Sequence, residues 1–288
     1  MTILKAQVLL LLLLALGAPT VVHGKSEDEK LFGKSLKAAH KVWKDYVVDK
    51  DDKIMDYSYE YSQGGSDKGG KALHVDVRKG KVESAWPAYP TADDLNKPTP
   101  KLALIDDMFD EIKRALKDKD DTVNTVTFND KYGYPESFSI TYEDGTELNV
   151  KVENMVIYTM LKRELDDNMK KWNKKMKKMK DNDYKYIMQI SCFCFGEDYF
   201  EPKQITVKNG VISDVTLADG APAKTTEGYY TVPQLFDRIQ NAIGRYYYEI
   251  DVTYDEAYGL PNSVGLNYNV RVADGSQNIE ISDFVDLS

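Results

Sequence analysis

The chain has 288 residues, 42% of them hydrophobic, and 47 acids against 38 Lys and Arg give it a net charge of −9. That is enough apolar material for two domain-sized cores, and an acidic chain repels phosphate backbones, which argues against nucleic acid as a partner. Two cysteines, spaced two residues apart, rule out a disulfide-built scaffold, and three histidines leave little for hydrolytic or metal chemistry.

Residues 1–24 carry a targeting signature. Lys5 precedes an apolar run from Val8 to Leu16, and Val22-His23-Gly24 offers short residues where a signal peptidase cuts. This predicts a cleaved secretory signal, a mature chain starting near Lys25 with a charge of about −10, and a secreted product. The run falls short of the ~18 apolar residues of a membrane span and no later segment reaches that length, so no transmembrane segment is expected in the mature chain.

From there the sequence reads as two copies of one unit, 25–157 and 158–288. Landmarks beginning at Trp43 recur from Trp172 at an offset of 126 to 130 residues, a spacing suited to a whole small domain and too long for a solenoid repeat. In the first copy Phe32, Leu36, Ala39, Trp43 and Tyr46 mark the apolar stripe of a helix; Leu161, Leu165, Trp172, Met176 and Met179 repeat it. Tyr57, Tyr59 and Tyr61 then alternate with Ser58 and Glu60, which predicts a half-buried strand with one aromatic face. Hairpins follow at Lys79-Gly80 and Asn209-Gly210.

After irregular stretches at 87–100 and 219–228 comes a second helix in each copy. Ile105, Phe109, Ile112 and Leu116 form the first stripe, and Phe236, Ile239 and Ile243 the second, with a capping box at Thr231 and Gln234. Alternating strands close the first copy through Val126 and Phe128, Phe138 and Ile140, and Leu148 and Val150; the last two pairs are joined by a turn at Asp144-Gly145, which Asp274-Gly275 matches in the second copy. Two helices and five or six short strands per copy predict an α+β fold, an antiparallel sheet with two helices packed on one face.

Both copies share the pattern aromatic-Asn/Asp-x-x-Tyr-Gly-x-Pro, Phe128 to Pro135 and Tyr254 to Pro261. Physically it is a turn, with the Asn or Asp side chain bonding nearby backbone, Gly supplying positive φ and Pro fixing re-entry to a strand. A contact surface built on Tyr132, Tyr134, Tyr254, Asp255 and Tyr258 is the functional reading beside it.

Taken together, Trp172, Tyr184, Cys192, Cys194, Asn209, Gly210, Leu235, Phe236, Asp237, Tyr254, Asp255, Tyr258, Gly259 and Pro261 resemble a family of secreted and lipoprotein-type domains of unestablished function. The first copy departs from it where a Gly-rich loop, 63–70, replaces the Cys-x-Cys segment. The resemblance implies a fold and no activity.

Cys192 and Cys194 are the sharpest chemical feature. Residues i and i+2 of a strand lie ~6.6 Å apart, at the limit for a disulfide, so a bridge requires a bend. A strained disulfide, two buried thiols, and a redox or metal role compete for the pair. Two thiolates supply half a tetrahedral site, no metal or cofactor motif completes it, and a redox helix would show Cys-x-x-Cys. The acid runs 49–52 and 118–121 lack a calcium loop's Gly and terminal Glu and read as solvated surface.

One charge anomaly remains. Lys170, Lys171, Lys174, Lys175, Lys177, Lys178 and Lys180 crowd the second Trp helix, which suggests weak contact with anionic surfaces, against the reading in which they form the solvated side of a core helix. The leading expectation is a secreted, non-enzymatic binding or structural module with no cofactor, contacting an extracellular protein or polymer through aromatic sheet and turn surface. At the level of architecture alone, such tandem repeats are similar to small extracellular inhibitors of hydrolases. An enzyme or redox protein acting through Cys192 and Cys194 is the alternative, and attachment to anionic surfaces through the lysine helix is a second.

Overall fold

The computed structural model describes residues 27–47, 56–64, 72–87, 104–179, 182–192, 201–217, 220–223, 228–268 and 275–287. The signal segment, Cys194, Lys180, Asp274 and the acid run 49–52 lie outside them. The chain divides into two compact units, one ending at Ile157 and the other beginning at Tyr158. Unit 1 runs α1 (Glu27–Val47), β1 (Tyr57–Gly64), β2 (Leu73–Arg78), β3 (Lys81–Pro87), α2 (Ile105–Lys117), β4 (Thr122–Phe128), β5 (Pro135–Thr141), β6 (Glu147–Ile157). Unit 2 repeats the order with α3 (Tyr158–Met176), β7 (Tyr184–Cys192), β8 (Lys203–Lys208), β9 (Val211–Leu217), α4 (Val232–Gly244), β10 (Glu249–Tyr254), β11 (Pro261–Asn267), β12 (Ser276–Asp286). Among the described residues no helix is long and apolar enough to cross a membrane.

Each unit holds a six-stranded antiparallel sheet, in the order β3-β2-β1-β6-β5-β4 and, identically, β9-β8-β7-β12-β11-β10. Two three-stranded meanders therefore meet at the central pair β1 with β6, or β7 with β12. The connection through α2 carries the chain from one edge strand to the other, and the same holds for α4. This is the α+β fold the sequence predicts.

Three of the four register shifts of unit 1 repeat in unit 2. Register shifts fall between Asp76 and Val77 and between Thr206 and Val207, and again between Thr127 and Phe128 and between Thr253 and Tyr254. Asn154 in β6 and Asp283 in β12 both take left-handed φ, 50° and 51°, where the central strands slip register. Bulges cost pairing and bend a strand, so their recurrence at matched positions shows one backbone design used twice. Both hairpins turn through two consecutive positive-φ residues, Lys79-Gly80 and Asn209-Gly210, the type whose twist matches the strands. Asp56 and Asp183 accept the Lys79 and Asn209 amides at 2.8 and 2.9 Å.

The Trp and Tyr packing at the centre of each core matches. Trp43 stands edge-on to Tyr57 with ring centroids 5.4 Å apart, and Trp172 stands edge-on to Tyr184 at the same distance. Tyr57 and Tyr59 stack at 6.0 Å, Tyr184 and Tyr186 at 5.9 Å. These rings, with Phe109, Ile112, Phe138 and Ile140 in unit 1 and Phe236, Ile239, Val264 and Leu266 in unit 2, are buried between sheet and helices. Burial of such rings supplies most of the stability of domains this size. Thr231 caps α4 through the capping box with Gln234.

Several expectations are corrected. Ser58 and Glu60 are buried like the tyrosines beside them, so β1 is covered on both faces. Phe32, Leu116, Leu161 and Met176 end half-buried, while Met108, Ala115 and Tyr158, absent from the predicted stripes, are buried. Val126 and Phe128 are half-buried and Val123 is the core residue of β4, because a register shift between Val123 and Thr125 breaks the alternation. The run 118–121 is not wholly solvated: the Asp121 carboxylate is buried, binding Arg114 at 2.8 Å and the Glu143 amide at 3.1 Å.

Candidate functional site

The shared turn is built alike in both units. Asn129 Oδ1 accepts from the Lys131 and Tyr132 amides at 3.2 and 2.8 Å, and Asp255 Oδ1 accepts from the Tyr258 amide at 2.6 Å. The amide of Gly133 reaches the Asn129 carbonyl, and that of Gly259 the Asp255 carbonyl, each at 2.8 Å. Both glycines have positive φ, 76° and 77°, and press on the Trp helix: a Cβ on Gly259 would lie 2.7 Å from the Asn168 carbonyl oxygen. The turn is thus a clamp holding the β4–β5 corner, and in unit 2 the β10–β11 corner, against the first helix of its unit, which is why it needs Gly at that point.

That role decides which motif tyrosines can serve as contact surface. Tyr134 is 7% exposed and packs edge-on to Trp43 at 6.1 Å; burial, with Glu136 nearby, pushes its hydroxyl pKa up to about 12. It is a core residue, a correction to the predicted surface. Tyr254 is half-buried, and burial raises its pKa. Tyr132, Asp255 and Tyr258 are half-exposed, as Tyr254 is. The tyrosines of β1 and β7 are interior, so the aromatic sheet face forms the cores and offers no contact surface.

Unit 2 brings two predicted sites together. Lys171 Nζ donates to the Glu256 carbonyl at 3.1 Å, and Lys175 Nζ lies 5.4 Å from the centre of the Tyr258 ring, a cation–π contact. Tyr258 also packs on Phe284 at 4.7 Å. The tandem offset of 129 residues places Val42 and Tyr46 of unit 1 where Lys171 and Lys175 stand. There Tyr132 meets the Tyr46 ring edge-on at 5.5 Å, and its cation comes from the turn itself, Lys131 Nζ lying 4.8 Å from the ring centre. Unit 2 has thus exchanged an aliphatic and an aromatic side chain for two ammonium groups at the same junction.

The neighbouring lysines extend this edge. Lys170, Lys174, Lys177 and Lys178 are all exposed, and of these Lys170 pairs with Asp167 at 2.9 Å. At 100° per residue, Lys170, Lys171, Lys174 and Lys175 cover an arc of about 140° on the side of α3 away from Leu165 and Trp172. Their place near the helix C-terminus also suits the helix dipole.

Cys192 closes β7, half-buried opposite Gln277, and Arg238 donates to the Gln277 side chain while lying over the Tyr230 ring at 4.6 Å. Among the described residues no group of three or more His, Cys, Asp and Glu could hold a metal ion.

One polar constellation escaped the sequence reading. On the face of the unit 1 sheet opposite the helices, Ser58, Glu60, His74 and Asp76 are buried. Asp76 accepts from Arg78 at 2.8 Å and Ser84 at 2.9 Å, and lies 3.7 Å from His74. Burial alone would raise its pKa, but His74, Arg78 and Ser84 together hold it below the ordinary value. The register pairs Ser58 with Asp76 and Glu60 with His74, so alternation held the signal; the strand's even positions simply read as solvent-facing.

The model of a family of unknown function (DUF6174) matches residues 35–155 and again residues 164–286. No curated protein and no solved structure matches the chain.

Proposed function

Because the chain belongs to this family of unknown function through both of its halves, we propose a role from geometry: a secreted, non-enzymatic module that binds an extracellular macromolecule at the helix–turn edge of unit 2. Secretion rests on the signal-like residues 1–24. The binding reading rests on one observation, that a shared backbone design differs at an exposed junction: two helix lysines, Lys171 and Lys175, stand beside the Tyr258 turn, where unit 1 has Val42 and Tyr46 and a single turn lysine, Lys131, over Tyr132. A half-exposed tyrosine flanked by cations and set on a rigid turn is a good anchor for a partner, since little side-chain entropy is lost on contact.

The test is a photo-crosslinking residue placed at 258 or, separately, at 132 in the mature chain, exposed to the protein's own extracellular milieu. Adducts are expected from 258, greatly reduced by Lys171→Ala with Lys175→Ala, and few from 132. Equal yield from both positions, or none from either, defeats the proposal.

The runner-up, a redox or other enzyme acting through Cys192 and Cys194, rests on the spacing of the chain's two cysteines. Thiol titration before and after reduction, followed by measurement of the reduction potential, separates a reactive pair from an inert one.

A further inference from the structure

We infer that the exposed lysine face of unit 2 docks on the headgroup surface of an anionic bilayer. The inference rests on the binding-module reading and gives the same edge a lipid surface on which to dock besides its macromolecular partner. Six lysines and no acid lie between residues 168 and 179, in a chain whose net charge is −9, and all six are exposed. A whole chain of this charge is repelled by an anionic surface, so attraction depends on this patch being turned toward it. The apolar side of α3 is committed to the core, with Leu165 and Trp172 buried. The helix therefore cannot sink into the acyl region as a free amphipathic helix does, and contact is superficial and electrostatic.

Shape favours a bilayer over a soluble acidic chain. The lysines spread over the convex outside of a helix and the turn beyond it, Lys177 and Lys178 following the last helical residue Met176. A flat array of headgroups can meet several such ammonium groups at once. Tyr258, half-exposed beside Lys175, is the kind of amphipathic ring that settles at headgroup level. Only two of the six lysines have described acceptors, Asp167 for Lys170 and the Glu256 carbonyl for Lys171, and Lys174, Lys177 and Lys178 have no described ion pair.

The mature chain is sedimented with vesicles of phosphatidylcholine alone and of phosphatidylcholine with phosphatidylglycerol. Binding is expected only to the second, at low salt, and lost near 1 M salt, where screening acts within about 3 Å. Each lysine near such a surface contributes roughly 5-fold, so Lys174→Glu, Lys177→Glu and Lys178→Glu together should weaken binding by about 100-fold or more. Reversal of Lys34, Lys37 and Lys81, exposed in unit 1, changes net charge equally and should have little effect. Absence of binding to the anionic vesicles, an equal effect of the control reversal, or binding to soluble polyglutamate without binding to vesicles each overturns the inference. If crosslinks from position 258 persist while vesicles are ignored, the docking surface falls and the binding module stands; loss of both readouts removes both.

Discussion

Gly259 and Gly210 offer a clean separation of two costs. Both are in unit 2 with nearly equal positive φ, 77° and 78°, but a Cβ on Gly210 meets nothing within 4 Å, whereas on Gly259 it lies 2.7 Å from the Asn168 carbonyl oxygen and 3.0 Å from Lys171 Cβ. Alanine at either position incurs the left-handed penalty of about 1–2 kcal/mol. At Gly259 it must also push the turn and the α3 backbone apart by a few tenths of an ångström, against a rigid carbonyl, and overpacking of that kind costs about 1–3 kcal/mol more. Gly210→Ala should therefore destabilise unit 2 by about 1–2 kcal/mol and Gly259→Ala by about 2–5 kcal/mol. Urea titration followed by tryptophan fluorescence reads this directly in a chain carrying Trp43→Phe and Trp86→Phe, where Trp172 alone reports. Equal destabilisation by the two alanines, within about 0.5 kcal/mol, would refute the view of the turn as a clamp on the helix.

Removing the cap of α4 with Thr231→Ala should cost about 1 kcal/mol by urea titration; α2 has no equivalent, since its N-cap Leu104 makes no side-chain bond. Asp76 links unit 1 to pH. Its carboxyl is held below the ordinary value by His74, Arg78 and Ser84 against the opposing effect of burial, so its stabilisation is complete above the unfolded-state value of about 3.9 and is lost as pH falls through the lower folded-state value. Asp76→Asn should thus be less stable than the parent at neutral pH, with the gap closing in acid; urea midpoints that keep a constant gap down to the acid limb would contradict this. Trp43→Ala and Trp172→Ala should each cost about 3–5 kcal/mol, and a near-zero effect of either in calorimetry would deny the equivalence of the two cores.

Much of the architecture was legible because it rests on periodicity and turn chemistry. The Trp stripes, the aromatic alternation of Tyr57 and Tyr59 and of Tyr184 and Tyr186, and the Asn209-Gly210 hairpin are local signals, and duplication stated each of them twice. Polar residues were harder. Ser58, Glu60, His74 and Asp76 alternate as a solvent face should, and only the folded arrangement shows them buried and joined across strands. The clamp was half legible: positive φ follows from Gly in a turn, while the press of Gly259 against Asn168 depends on how the β10–β11 corner meets α3. Tyr134 was misplaced for the same reason, since a turn tyrosine reads as exposed until Trp43 is seen beneath it.

The differences between the copies carry more functional weight than their likeness. Equal strand order, matched bulges and matched Trp–Tyr pairs mean that both sequences satisfy one packing problem, so residues that differ at equivalent places are not dictated by it. On the outer sheet face, unit 1 has the buried row of Ser58, Glu60, His74 and Asp76, where unit 2 has Lys185, Ile187, Gln204 and Thr206, all half-buried. At the helix–turn junction, unit 1 closes with Tyr46 and the single turn lysine Lys131 on Tyr132, and unit 2 opens an edge of helix ammonium groups beside Tyr258. A polar row withdrawn from solvent serves the interior of unit 1, through the Asp76 network with Arg78 and Ser84. An exposed cationic edge does little for the fold, because surface charges contribute at most about 1 kcal/mol each. Of the two divergences, the one in unit 2 is therefore where contact with another molecule should be sought.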